Sequence, residues 1–277
     1  MRVDVKASVR VDLGGGSTDI EPFTKYGGAV LNATINKYVY GSIIKLPNKT
    51  ILEYHADIPT SSGLGTSGVM NVVWLALTTR FKDKLKLAEL AYDIERATGV
   101  VGGKQDQYAA VLGGINFLRF NPDIKIERLH LRKSFIRKLE SHLFLHYTGP
   151  RSSSDINGRI IEHVIKKNKK TIDTLKNIVK NTYEMRDSLL REDLSEFFNN
   201  INVEWELRKS LHHGITTKVI DKRINFAMEN GAMAAKVCGA GGGGCILFGA
   251  KDKAKLMSKF NNVIDFKFDI RIPKIWT

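Results

Sequence analysis

The residues best placed to do chemistry lie in three glycine-rich stretches and in two carboxylates between the last two of them. Residues 59–68 read PTSSGLGTSG and stand between a strand-like run and an apolar helical run. Glycines let backbone amides approach a ligand closely, and the first turn of a helix offers N–H groups without intrahelical partners at the positive end of a dipole. Together these make an anion cradle suited to phosphate. Thr66 and Ser67 would set hydroxyls beside the phosphates or their metal ion. The plainer alternative is a Ser or Thr cap on an ordinary helix. The chain has no G-x-x-x-x-G-K-[ST], so this is not a Walker loop. Residues 63–68 fit G-x-G-x-x-G, with Asp83 following at about the distance a dinucleotide site requires. Residues 59–62 separate that turn from its strand, however, and Asp83 falls between two helices. Residues 239–244 fit the same pattern but lead into a strand, so both dinucleotide readings fail on context.

The first stretch, VDLGGGSTD at residues 11–19, follows a strand. Gly14, Gly15 and Gly16 bring the chain close to whatever it meets, Ser17 adds a hydroxyl, and Asp19 can accept hydrogen bonds from vicinal hydroxyls. A tight turn capped locally by Asp19 is the alternative. The third stretch, KVCGAGGGGC at residues 236–245, has four consecutive glycines where a hairpin needs one or two, which marks Gly241 and Gly242 as part of a ligand-facing loop. Glu95, near a helix end, and Asp106, just after GGKQ, form an acidic pair. One carboxylate for Mg2+ and one to handle an acceptor hydroxyl are what phosphoryl transfer needs; the rest is positioning and charge neutralisation. Taken singly, either would pass for a surface carboxylate.

Mixed strands and helices must position these groups. Val3, Val5, Ala7, Val9 and Val11 alternate with polar residues, as in a half-buried strand. Further strands are expected at residues 29–35, 38–46, 50–55, 116–120, 124–131, 143–147, 232–237, 245–248 and 263–270, with a turn at Pro47-Asn48. Helical periodicity marks residues 69–77, 85–97, an interrupted run over 155–190, then 194–211, 218–229 and 251–261. No regular βαβ alternation appears, which favours an α+β fold in two lobes over a doubly wound sheet.

Composition sets the outer limits. The chain has 277 residues, 43% hydrophobic and 26% charged, the balance of a globular protein. Lys and Arg number 43 against 29 Asp and Glu, a net charge of +14 that favours anionic partners without choosing among them. The run KKNKK at residues 166–170 could be a nucleic-acid patch, but with no interleaved aromatics it reads better as the solvated face of a helix. Only Cys238 and Cys245 occur, which excludes a disulfide scaffold and suits a reducing compartment. The first ten residues lack the apolar core of a secretory signal, and no apolar run is long enough to cross a bilayer. A soluble cytoplasmic protein is expected.

The three stretches, in this order, resemble the GHMP kinase superfamily, whose P-x-x-x-G-L-G-[ST]-S signature is Pro59–Ser67 here. The resemblance implies a two-lobed α+β fold, residues 1–138 and 139–277, using ATP and Mg2+. It implies that Ser61, Ser62, Gly63, Leu64, Gly65, Thr66 and Ser67 wrap the ATP phosphates and that Ser67 and Glu95 hold Mg2+. Asp106 is then catalytic and Arg10 assists near the transferred phosphoryl group. The spacing of Glu95 and Asp106 is similar to that in mevalonate kinases, and the Asp106-Gln107 pair to that in galactokinases. Within the superfamily, RVDLGGGSTD at 10–19, GGKQDQY at 102–108, YTGPRSSS at 147–154 and WELRKSL at 205–211 look like the D-glycero-D-manno-heptose 7-phosphate kinase group.

What this group implies is a small-molecule sugar or sugar-phosphate acceptor, phosphorylated at the anomeric hydroxyl and bound through Asp19. If the acceptor already carries a phosphate, Arg151 and Lys104 are candidates to receive it. L-fucose kinases share the first motif, so an L-fucose-type or mevalonate-type kinase is the alternative. A non-catalytic sugar-phosphate- or nucleic-acid-binding protein on this fold is a further one. Neither membrane nor nucleic acid is an expected partner, and a monomer or homodimer is. The family carries several tens more residues where only 41–58 stand between Tyr40 and Pro59. Either the chain is pruned there or a segment near residues 47–49 is absent from the sequence, which leaves the adenine contacts unassigned.

Overall fold

A computed structural model describes residues 2–79, 81, 83–121, 123–151 and 155–271. The alternating valines form β1 (Arg2–Gly14), antiparallel to β2 (Gly28–Lys45). β2 spans both of the runs expected at 29–35 and 38–46. A register shift opposite Ser8 and Arg10 puts an irregularity between them, so one strand bends where the sequence suggests two. β3 (Thr50–Ala56) pairs with the far half of β2, and the turn closes with the Leu46 N–H donating to the Lys49 carbonyl at 2.9 Å. The short 41–58 segment is thus a continuous hairpin. β4 (Ile115–Phe120) and β5 (Ile124–Arg128) complete the first sheet in the order β1-β2-β4-β5.

Helices α1 (Thr66–Thr78), α2 (Lys84–Ala97) and α3 (Gln105–Leu112) follow, and α1 and α3 pack on β1 and β2. α4 (Lys133–His142) leads into β6 (Leu143–Tyr147). Then come α5 (Ile156–Ile165), α6 (Lys169–Leu190), α7 (Leu194–Leu211) and α8 (Lys218–Glu229). β7 (Ala232–Val237), β8 (Cys245–Ala250), α9 (Lys253–Met257) and β9 (Val263–Ile264) end the described elements. The second sheet has the order β7-β8-β6-β9. Among the described residues no helix is long and apolar enough to cross a membrane.

Four expectations change. β1 is not half-buried: every residue from Ala7 to Gly14 is buried, because α1 and α3 from one half of the chain and α6 and α7 from the other all pack on it. Ser8, Arg10 and Asp12, the polar face, are therefore interior. α3 is unannounced, being short and opened by polar residues. The basic run at 166–170 is exposed, yet it straddles the joint between α5 and α6, with only Lys169 and Lys170 in a helix. Lys167 there adopts φ 55°, and the Asn168 side chain accepts the Thr171 N–H at 3.0 Å to start α6. Finally, α9 has five residues, and β9 has two because the chain beyond it leaves the second sheet for the first. Phe268 bridges Ile35, and the Asp269 N–H donates to the Thr34 carbonyl at 2.8 Å.

Candidate active site

A cleft of about 450 Å³ opens where the first two glycine stretches meet the start of α3. Gly65, at φ +78°, turns the chain into α1, and no described side chain caps that helix. Its first-turn amides are left for a ligand. Ser62 Oγ and Thr66 Oγ1 are buried beside them without a hydrogen-bond partner among the described residues. The loop that carries them is held from behind. The Arg10 N–H donates to the Leu64 carbonyl at 3.2 Å, the Cys245 N–H to the Ser62 carbonyl at 2.7 Å, and the Tyr147 hydroxyl to the Thr60 carbonyl at 3.2 Å. An uncapped helix end with two unsatisfied hydroxyls fits a polyphosphate.

Asp106 lies in the first turn of α3, pressed against the first turn of α1. A Cβ on Gly68 would stand 2.8 Å from Asp106 Cβ, so only glycine admits this approach. Arg10 then fixes the carboxylate. Its Nε and Nη2 reach Asp106 Oδ1 at 2.8 and 2.7 Å, while Nη1 donates to the Gly63 carbonyl at 2.7 Å. Arg10 is 3% exposed; burial works against its charge, but Asp106 and Asp12 outweigh burial and hold it firmly protonated.

Glu95, near the end of α2, hydrogen-bonds Ser67 and receives the Gln107 amide at 2.5 Å. Burial first, and the charge of Asp106 second, push its carboxyl up to about 7. Asp19 is raised to about 7 as well, chiefly by burial, although it accepts the Gln105 N–H at the start of α3 at 3.1 Å. Gly103 packs directly on it; a Cβ there would lie 1.9 Å from Asp19 Oδ2. Glu95 and Ser67 supply two oxygen donors at the rim of the phosphate-type loop. That is short of a full protein cage and suits Mg2+, which keeps water and substrate phosphates among its ligands.

The structure brings Arg10, Asp106, Glu95, Asp19, Gly16, Ser17, Ser61, Ser62, Gly63, Gly65, Thr66, Ser67 and Arg151 to this one cleft. The other expected residues are not among those lining it. Leu64 is fully buried in the core. Gly15 donates its N–H to Glu204 Oε1 at 3.0 Å. Lys104 turns away to Glu89, at 2.7 Å, over the Tyr92 ring. Gly241 and Gly242 lie against Ile215, whose carbonyl accepts the Gly242 N–H at 2.9 Å, and Gly239 and Ala240 line the cleft in their place. Pro59 precedes the lining residues. Reading the sequence missed Asp12, Asn157 and Arg208, all at the cleft wall. Asp12 and Arg208 sit inside stretches already singled out, but a buried pairing across the chain leaves no spacing signal.

Against known proteins, the family model described as GHMP kinases N terminal domain matches residues 29–114, and that described as GHMP kinases C terminal matches residues 185–262. The chain belongs to the GHMP kinase family. It is 28% identical to the D-glycero-alpha-D-manno-heptose 7-phosphate kinase of Campylobacter jejuni, over 99% of this chain and 98% of that protein. That alignment runs to 343 positions against 277 residues here, so the relative carries insertions that this chain lacks. The crystal structure of a D-glycero-D-manno-heptose 1-phosphate kinase from Bacteroides thetaiotaomicron superposes with a TM-score of 0.77 at 26% identity, covering 97% of this chain and 96% of the other. An L-fucokinase/L-fucose-1-P guanylyltransferase of Bacteroides fragilis is 27% identical over 71% of this chain and 22% of its own length.

Proposed function

We propose that the chain is an ATP-dependent kinase that phosphorylates the anomeric hydroxyl of a sugar phosphate, of the D-glycero-D-manno-heptose 7-phosphate type. The observation that carries this reading is Asp106, clamped by a buried Arg10 against the uncapped first turn of α1. In this reading the amides of residues 63–68, with the Ser62 and Thr66 hydroxyls, hold the ATP phosphates, and Ser67 and Glu95 hold Mg2+. The metal would neutralise phosphate charge. Asp106 orients the acceptor hydroxyl and takes its proton, and Arg10 holds Asp106 in position. Asp19, held at the start of α3 by the Gln105 N–H, binds acceptor hydroxyls. Arg151, at the rim, is the candidate for an acceptor phosphate; Lys104 would first have to leave Glu89.

The 28% relative and the heptose kinase structure support the acceptor class. The two sheets fall on either side of the proposed lobe boundary at 138 and 139, with β5 ending at Arg128 and β6 beginning at Leu143. A cytoplasmic location and a monomer or homodimer complete the proposal. ADP release measured over heptose phosphates, L-fucose, galactose and mevalonate tests it, with a heptose phosphate expected as the best acceptor. Asp106→Asn should lower kcat by about 100-fold or more while leaving a folded protein by circular dichroism. A variant with unchanged kcat would remove Asp106 from the mechanism, and a preference for free L-fucose would replace the acceptor.

A further inference from the structure

Behind the first glycine loop lies a cluster of charges that the mechanism above does not use. Asp12, Glu204 and Lys236 are 0% exposed and Arg208 is 2% exposed. Lys236 Nζ donates to the Asp12 and Leu13 carbonyls at 2.9 and 3.1 Å, and stands 3.3 Å from Asp12 Oδ1 and 3.9 Å from Glu204 Oε1. Glu204 accepts the Gly15 N–H at 3.0 Å. One turn along α7, Arg208 donates to Ser17 Oγ and to the Gly239 carbonyl, both at 2.8 Å. Gly16 lies directly on this group: a Cβ there would come within 2.9 Å of Arg208 Nη1 and 3.0 Å of Asp12 Oδ2. Residues 12, 13, 15, 16 and 17 are thus each held or contacted by a side chain from α7 or β7.

Stability does not account for this arrangement. Burying charges costs free energy that pairing only roughly recovers, and apolar replacements of such clusters are often neutral or better. The cluster is also incompletely satisfied: Asp12 Oδ2 and Glu204 Oε2 accept no hydrogen bond from the described residues, and Asp12 Oδ1 has only the Lys236 ammonium at 3.3 Å. Its contacts are concentrated on one short loop, and that loop places Ser17 and Asp19 in the cleft.

We propose that Arg208, Glu204 and Lys236 are positioning residues that lock the first glycine loop in the shape that receives the acceptor. This rests on reading the cleft as a kinase site with that loop on the acceptor side. The phosphate-type loop is tied down directly by Arg10, Cys245 and Tyr147, and Arg208 reaches it only through Gly239, which packs on Gly63, so the lock acts mainly on the acceptor side.

Hydrogen exchange and steady-state kinetics on the full chain test it together. Arg208→Gln should speed amide exchange in residues 13–19 by about tenfold and leave residues 66–70 within about twofold. It should raise the acceptor KM about tenfold with the ATP KM within about twofold, and Arg208→Lys should recover part of the loss. Ser17→Ala, which removes the hydroxyl that accepts from Arg208 and donates to Asn157, should speed exchange at 13–19 in the same direction, and that exchange readout decides the matter if Arg208→Gln does not fold. Unchanged exchange at 13–19, equal loosening of both loops, or a parallel rise in both KM values would overturn the lock. If the wild-type chain released no ADP with any sugar or sugar phosphate, the kinase reading would fall, while the exchange data would still judge the lock.

Discussion

Glu95 carries the clearest consequence at the scale of single residues. Burial and the neighbouring Asp106 raise its carboxyl to about 7, so below neutrality it carries a proton that a divalent cation, if held there as proposed, would displace. Mg2+ binding, followed by titration calorimetry, is expected to tighten about tenfold between pH 6 and pH 8, and Glu95→Gln should bind weakly with no such dependence. Stability of the ligand-free protein should move the other way. The native state keeps the proton that the unfolded chain releases at the ordinary carboxyl value, so this contribution is present at low pH and lost as pH rises toward 7. Asp19, also raised to about 7, adds the same sign. A urea midpoint for wild type that falls with pH over this range, and a shallower slope for Glu95→Gln, are the expected results.

Among the elements, the contact between α1 and α3 sets the position of Asp106. α3 could not be read from the sequence because eight residues give little periodicity, and its first turn is polar for reasons of the site. Gly68 is where the two helices touch. Gly68→Ala would place a methyl 2.8 Å from Asp106 Cβ and 3.0 Å from Gln107 Nε2, which forces α3 outward. The expected cost is about 1–3 kcal/mol in urea unfolding, as for other overpacked contacts. A shift approaching 1 Å in Asp106 can cost on the order of 100-fold in rate, so kcat should fall further than stability suggests. An unchanged kcat would mean that Asp106 does not need this fixed approach.

At the scale of the whole molecule, the two halves of the chain share a core. One cluster of buried residues runs from Val5 in β1 through Met185 and Phe197 to Phe266 and Phe268. The segment after β9 returns to the first sheet, where Phe268 packs edge-on against Phe266 and Asp269 accepts from Ser8 Oγ and the Tyr38 hydroxyl, each at 3.0 Å. Phe268→Ala should therefore cost about 3–5 kcal/mol in a single cooperative transition, seen as a lower urea midpoint with an unchanged slope. Two separate transitions in wild type would show that the shared core does not couple the halves.

What the sequence determined by itself is what local pattern encodes. The bounds of β6, α7, α8 and β7 coincide with the periodic runs. The glycine stretches, with Glu95, Asp106 and Asp19, stood out by residue type and order, and Arg10 through the family resemblance alone. Tertiary structure alone decided which of these groups meet, and what stands behind them. Arg10 meets a carboxylate 96 residues away, Arg208 a hydroxyl 191 away, and Lys236 a carbonyl 224 away. Period and spacing report neighbours within one strand or helix. A buried charge finds its partner through the packing of distant elements, and low dielectric makes that pairing obligatory without leaving any trace along the chain.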